Sequence, residues 1–411
     1  MYQRYCIANI QEALSDTPVV FIMGPRQTGK TTLVKTLTQT NHANWEYLTF
    51  DDQTLFNVAK TDPVSFIRNL PKKNIVLDEI QRLPELFISI KQTVDENRTP
   101  GRFLLTGSAN ALLLPRLSDS LAGRLESVQL PPLSECEIQD RTPSFLTKLL
   151  DLTIPTARVT RIHDYLLERI VSGCFPEPIQ RGSERRRSAW YQQYTNTLIQ
   201  RDIRDLEHID QPRTLHKLLK LTAYYSGRLI NLTELGNKLK LSRTTTKKYM
   251  ALLEQLFLVE QLPAWHTNEY KRLIKTPKLH SIDTGVMCAM RGLSKARLRK
   301  QRDEFGVLLE TFVYNELRKQ ALWIEQPLYF YHYRDKDQVE IDVIIENADG
   351  DCFAIEIKAS ATLNTKDFTG LKRFRHIAGE RFKLGILLYD GDHTTAFSDQ
   401  LYAVPIGALW S

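Results

Sequence analysis

The stretch Val19-Val20-Phe21-Ile22-Met23-Gly24-Pro25-Arg26-Gln27-Thr28-Gly29-Lys30-Thr31-Thr32 decides the architecture. Five apolar residues run straight into Gly24 to Thr31, which fits the pattern GxxxxGK[ST], and Thr32 to Gln39 reads as a helix. That context, strand then glycine-bearing turn then helix, gives the motif physical meaning. Gly24 and Gly29 let the chain curl so that successive backbone N–H groups face phosphate oxygens, and the helix N-terminus adds its dipole. The nucleotide-binding candidates are therefore Gly24, Pro25, Arg26, Gln27, Thr28, Gly29, Lys30, Thr31 and Thr32. Lys30 is expected on the β- and γ-phosphates of ATP, and the Thr31 hydroxyl on Mg²⁺.

Working outward, Asn74-Ile75-Val76-Leu77-Asp78-Glu79 is an apolar strand ending in two acids. Asp78 is expected in the Mg²⁺ shell, and Glu79 is expected to polarise the attacking water. A further strand, Phe103 to Thr106, ends in Gly107-Ser108-Ala109-Asn110. Ser108 is placed to touch the γ-phosphate or the water, or else to cap the next helix. Arg124 reads as an arginine finger for a neighbouring subunit's site or as a surface salt bridge. The catalytic candidates are thus Glu79, Lys30, Ser108 and Arg124.

Strands at Val19–Met23, Trp45–Phe50, Ile75–Leu77, Phe103–Thr106 and Ser127–Leu130 alternate with polar, helix-like stretches, as in an α/β domain with a parallel sheet. The fold class expected is α/β: a P-loop NTPase with a parallel sheet, then a helical and winged-helix region, and a second α/β domain at the C-terminal end. The boundaries expected are 1–150, 151–210, 211–265 and 266–411. Five cysteines lie scattered with no CxxC pair, which reads as buried thiols in a reducing, cytoplasmic compartment. No apolar run is long enough for a membrane span. A net charge of +7 permits nucleic-acid binding without requiring it.

The motifs GPRQTGKT, IVLDEIQ, LLTGSAN, SLAGR and PPLSECE together resemble those of prokaryotic AAA-type ATPases with a C-terminal domain of unknown function. SGCFPEP, Arg201 to Ile203, and KTPKLHSIDTGV continue the likeness along the chain. The resemblance implies a P-loop ATPase using ATP and Mg²⁺, and relatives of this type often form rings.

In the middle, Thr233 to Lys240 and Arg243 to about Leu256 read as two helices around a Leu241-Ser242 turn, with Ser242 as N-cap. Arg243, Thr244, Lys247 and Lys248 can face outward, as in a DNA-reading helix, and Phe257 to Pro263 reads as a wing strand. Farther on, strands at Tyr329–Tyr333, Val339–Ile345 and Cys352–Lys358 bring Asp342, Glu356 and Lys358 to adjacent strand faces. Glu310 lies upstream on a helix. Two acids and a lysine so placed can hold a second divalent metal beside a phosphodiester, with Asp342, Glu356 and the Ile357 carbonyl as ligands, Glu310 in support and Lys358 as the catalytic lysine. This arrangement resembles the PD-(D/E)XK nuclease fold; an ordinary exposed salt-bridge pattern is its plain alternative. Expected partners are DNA or RNA through the winged-helix and C-terminal regions, a protein partner, or further copies of the chain.

Overall fold

The computed structural model describes residues 2–40, 45–108, 121–154, 161–206 and 212–410, without side chains for residues 40 and 201–206. Ala109 and Asn110, and the side chains of Arg201 to Ile203, therefore lie outside the described residues.

The first sheet is parallel and has five strands: β1 (Val19–Met23), β2 (Trp45–Thr49), β3 (Asn74–Asp78), β4 (Phe103–Gly107) and β5 (Leu125–Gln129). Their order across the sheet is β2-β3-β4-β1-β5. All strands run the same way, so every strand tip that precedes a helix opens on one edge. The P-loop strand β1 and the acid-bearing β3 flank β4, which pairs with both. Burial on both faces explains why β1 and β4 are almost wholly apolar: one cluster packs Val19, Phe21, Leu77 and Leu105, while the other packs Val20, Ile22, Val76 and Leu104.

Beyond residue 130 the chain builds a large core running from Cys136 to Trp410, and a second one around Trp265, Ile344 and Phe374. The large core includes the helices His163–Ser172, Glu184–Leu206, Pro212–Tyr225, Leu232–Leu239 and Arg243–Gln255. Ser242 caps the last of these by accepting from the Thr245 N–H. A small sheet follows, in which β8 (Lys278–Ser281) lies between β6 (Arg228–Leu229) and β7 (Val259–Leu262), antiparallel to both. The helix Arg302–Ala321 then leads into a mixed six-stranded sheet of β9 (Leu328–Arg334), β10 (Glu340–Asn347), β11 (Cys352–Lys358), β12 (Phe382–Tyr389), β13 (Thr395–Ser398) and β14 (Leu401–Pro405). β9, β10 and β11 are antiparallel neighbours. β11 joins β12 in parallel, which requires a crossover, supplied by the helix Thr369–Ala378.

The segment Pro131 to Glu137 joins the two halves. Ser134 and Glu137 form a capping box. Glu137 also pairs with the buried Arg4 at 2.9 Å, and Glu135 pairs with Arg169 at 2.9 Å. The Glu135 N–H donates to Glu316, and the Lys319 ammonium donates to the Leu133 carbonyl. Each of these charges is buried with a partner, as a low-dielectric junction demands.

All five cysteines are free and buried. Among the described residues no helix is long and apolar enough to cross a membrane.

Candidate functional site

The turn after β1 is held in a conformation that needs its glycines. Gly29 has φ +96°, and a Cβ on Gly24 would lie 2.2 Å from the Leu130 carbonyl oxygen. Thr28 donates to the Pro25 carbonyl at 2.9 Å, closing the loop on itself. Arg4 braces it from outside, donating to the Thr28 and Pro131 carbonyls at 2.8 and 2.7 Å. The Lys30 ammonium lies against the Gly24 and Pro25 carbonyls at 2.9 and 2.8 Å.

Asp78 stands at the end of β3 and collects three hydroxyls. Thr31 donates to its Oδ2 at 2.9 Å and Tyr47 to the same oxygen at 2.5 Å, while Thr106 donates to Oδ1. Burial and then Asp78 itself push the Tyr47 phenol above its ordinary range, so it stays a donor. Thr106 also accepts the Glu79 N–H at 3.1 Å. Glu79 adopts the left-handed region with φ +59°, a strained setting for a non-glycine residue. Gln81 bridges its neighbours, donating to Glu79 Oε2 at 2.5 Å and to Ser108 Oγ at 3.0 Å.

Lys30, Thr31 and Glu79 line a pocket of about 440 Å³, with Arg26, Gln27, Gly29 and Thr32 beside them. The opposite wall is the helix Glu184–Leu206, through Trp190, Gln193, Tyr194, Thr197 and Leu198. Trp190 and Tyr194 stack with centroids 5.0 Å apart, and the Tyr194 hydroxyl donates to the Arg26 carbonyl at 3.3 Å. Lys30, Thr31, Asp78, Glu79 and Ser108 are thus brought together, whereas Arg124 is not. Leu125 is in register with Val19, so Arg124 sits where the parallel strands begin, the edge opposite the P-loop. There its guanidinium pairs with Asp95 and donates to the Ala122 carbonyl, and within its own chain it takes no part in the pocket. Thr106 and Gln81 lie inside the motifs LLTGSAN and IVLDEIQ without an assigned role, Tyr47 and Arg4 lie in none, and contacts across the fold reveal what all four do.

Residues 16–139 match the family model described as an AAA domain. That segment holds the first sheet and its P-loop. Residues 163–297 and 305–409 match models described as domains of unknown function (DUF8612 and DUF4143). Along the whole chain, an uncharacterized protein of Mycobacterium bovis and one of Mycobacterium tuberculosis are each 29% identical over 404 residues, covering 98% of this chain and 83% of theirs. Among solved structures, the Walker-type ATPase PABY2304 of Pyrococcus abyssi aligns over 69% of this chain and 94% of its own, at 14% identity and a TM-score of 0.42.

Outside the AAA domain, Arg243, Thr244, Lys247 and Lys248 lie exposed at the start of their helix, while Tyr249, Met250, Leu252 and Leu253 are buried behind them. Glu310 of the helix Arg302–Ala321 and Asp342, Glu356 and Lys358 of the C-terminal sheet do approach one another, but with a cation not anticipated. The Lys278 ammonium lies 2.7 Å from Glu310 Oε1 and 3.4 Å from Asp342 Oδ1. Burial alone would lower its pKa, yet Glu310 and Asp342 hold it above the ordinary lysine range, so it stays charged. Lys358 pairs with Glu356 at 2.7 Å. Burial raises the carboxyls of Glu310 and Glu356 against the pull of these lysines. The Ile357 N–H donates to Asp342 Oδ2 at 3.0 Å. Among the described residues no group of three or more His, Cys, Asp or Glu side chains is gathered to hold a metal. The second divalent metal expected at Glu310, Asp342 and Glu356 is therefore unsupported, for the physical reason that ammonium groups already neutralise these acids.

Proposed function

We propose that the chain is a Mg²⁺-dependent ATPase whose nucleotide state is passed, through the helix Glu184–Leu206, to the helix-turn-helix and C-terminal halves. The observation carrying this is the two-sided pocket: phosphate-binding and acidic residues of the AAA domain form one wall, and Trp190 and Tyr194 of the following region form the other. Backbone N–H groups of Gly24 to Thr31 and the Lys30 ammonium would take the phosphates. Thr31 and Asp78, already hydrogen-bonded to each other, would share the Mg²⁺ shell directly or through water. Glu79, held by Thr106 and Gln81, would orient the attacking water, with Ser108 reaching the same point through Gln81. Loss of the γ-phosphate changes what the Trp190–Tyr194 wall faces, and one rigid helix carries that change into the shared core.

The exposed Arg243, Thr244, Lys247 and Lys248 suit the helix pair and its neighbouring β7–β8 strands to a winged-helix role on DNA or RNA. For the C-terminal sheet, a nuclease-like scaffold that docks a nucleic acid or protein without cutting it is favoured over a working nuclease, because Lys278 neutralises the acids a catalytic metal would need. The test is steady-state ATP hydrolysis with Mg²⁺, with and without DNA or RNA, beside Lys30→Ala. Turnover that needs Lys30 supports the reading. Tight ATP binding without turnover under any condition overturns it in favour of a non-hydrolysing switch.

A further inference from the structure

Glu310, Asp342 and Glu356 come from a helix and two adjacent strands, and each side chain is no more than 15% exposed. Carboxylates this poorly solvated need a positive charge beside them. In a PD-(D/E)XK-like arrangement a divalent metal would supply it, with oxygen contacts of roughly 2.0–2.6 Å. Here the charge comes from the chain. Lys278, with a side chain only 4% exposed, donates to Glu310 and reaches Asp342. The other Asp342 oxygen is taken by the Ile357 N–H. Each of the three acids has thus given an oxygen to a protein donor, Glu356 to the Lys358 ammonium at 2.7 Å, at distances ordinary for hydrogen-bonded ammonium and amide groups.

Two further atoms mark the cluster as a place built for more than a lysine. Glu356 Oε2 and His280 Nε2 are both buried with no hydrogen-bond partner among the described residues. His280 Nε2 lies 4.0 Å from Glu310 Oε1, on the ammonium's side of the cluster. Buried polar atoms without partners are rare in folded proteins and call for an explanation. A cluster able to accept a cation in place of the ammonium would provide one.

The lysine also comes from elsewhere in the fold. β8, which carries Lys278 and His280, belongs to the small sheet with β6 and β7, and not to the sheet bearing Asp342 and Glu356. Gly227, in the turn before β6, has φ +75°, and a Cβ there would lie 3.2 Å from Glu310 Oε2. The module bearing the exposed basic helix therefore also walls the acid cluster and puts a cation into it.

We propose that Lys278 is the resident cation of the Glu310–Asp342–Glu356 cluster, closing it to divalent metals for as long as β8 keeps its place, and that Mg²⁺ or Mn²⁺ can enter once the ammonium is removed. The inference concerns this cluster alone and stands or falls separately from ATP hydrolysis. It makes the cluster a latent metal site controlled by the β6–β8–β7 module.

The test is a Mn²⁺ titration of the nucleotide-free full chain, followed by electron paramagnetic resonance of the free ion. Any Mn²⁺ site that Asp342→Asn abolishes is assigned to the cluster, which separates it from ions at the P-loop. Wild type is expected to show no such site. Lys278→Met is expected to gain one, binding at least about tenfold more tightly than any weak wild-type association, and Lys278→Arg is expected to stay closed. A wild-type site abolished by Asp342→Asn overturns the proposal, as does a folded Lys278→Met chain that gains none. Should Lys278→Met fail to fold in chelator, its melting is followed with added Mn²⁺. Rescue that exceeds the effect on wild type supports the proposal, and its absence overturns it.

Discussion

Replacing Thr106 by Val removes one hydroxyl from the tip of β4 while keeping nearly the same side-chain shape. That hydroxyl accepts the Glu79 N–H at 3.1 Å and donates to Asp78 Oδ1, and Thr106 is fully buried. A neutral hydrogen bond contributes about 1 kcal/mol and one to a charged group about 1.5–3 kcal/mol, so the pair holds the acidic turn by about 3 kcal/mol. Glu79 sits in a left-handed conformation that needs such support. If half to most of that energy positions the carboxylate in the transition state, kcat falls about ten- to a hundredfold, since each 1.36 kcal/mol is tenfold. ATP affinity should change by less than about threefold, because the P-loop amides and Lys30 are untouched. The assay pairs steady-state hydrolysis with titration of a fluorescent ATP analogue, and Thr106→Ser serves as the variant that keeps the hydroxyl. Turnover of Thr106→Val within twofold of wild type, in a protein of unchanged melting temperature, would refute the role given to this contact.

Other perturbations read different parts of the account. Arg4→Met removes a buried guanidinium and strands Glu137 and the Thr28 carbonyl; a loss of about 3–5 kcal/mol is expected in denaturant unfolding, with weaker ATP binding. Trp190 lines the nucleotide pocket, so ATP should change tryptophan emission in wild type and leave it almost unchanged in Trp190→Phe. Burial, with Lys278 adding to it, lowers the His332 pKa from 6.5 to about 4. The neutral ring therefore stabilises the folded state above pH 6.5, and that stability is lost as the pH falls from 6.5 towards 4. The window corresponds to about 3 kcal/mol, read as the difference in pH-dependent unfolding between wild type and His332→Gln.

The P-loop half was legible because its signals are local. An apolar strand, a glycine turn and a helix sit side by side in sequence, and the Asp78–Glu79 strand announces itself in the same way. β2, β3, β4 and β5 fall within two residues of the spans read from the sequence. The parts of the site that were not legible depend on what the sheet brings together. Tyr47 and Thr106 meet Asp78 only because β2 and β4 flank β3. Arg4 reaches Glu137 across 133 residues. Arg124, read either as a finger for a neighbouring subunit's site or as a surface salt bridge, pairs with Asp95 at the edge where the strands begin, a placement that only the β1–β5 register shows. In the C-terminal half, β9, β10 and β11 lie where alternation put them, and the helix that carries Glu310 begins at Arg302. Its first turn carries Asp303 and Glu304, acids that suit a helix N-terminus and resemble loop residues to a reading based on apolar spacing. Lys278 had no assignable role because its partners lie 32 and 64 residues away.

The most direct test of the central claim is single-turnover and steady-state ATP hydrolysis by Glu79→Gln beside wild type, both saturated with ATP and Mg²⁺. The account predicts that the variant binds ATP within a few-fold of wild type and loses at least about a hundredfold in turnover, the range in which general-base contributions fall. Equal turnover in the two proteins would contradict it, because the strained acid at the end of β3 would then have no part in the chemistry.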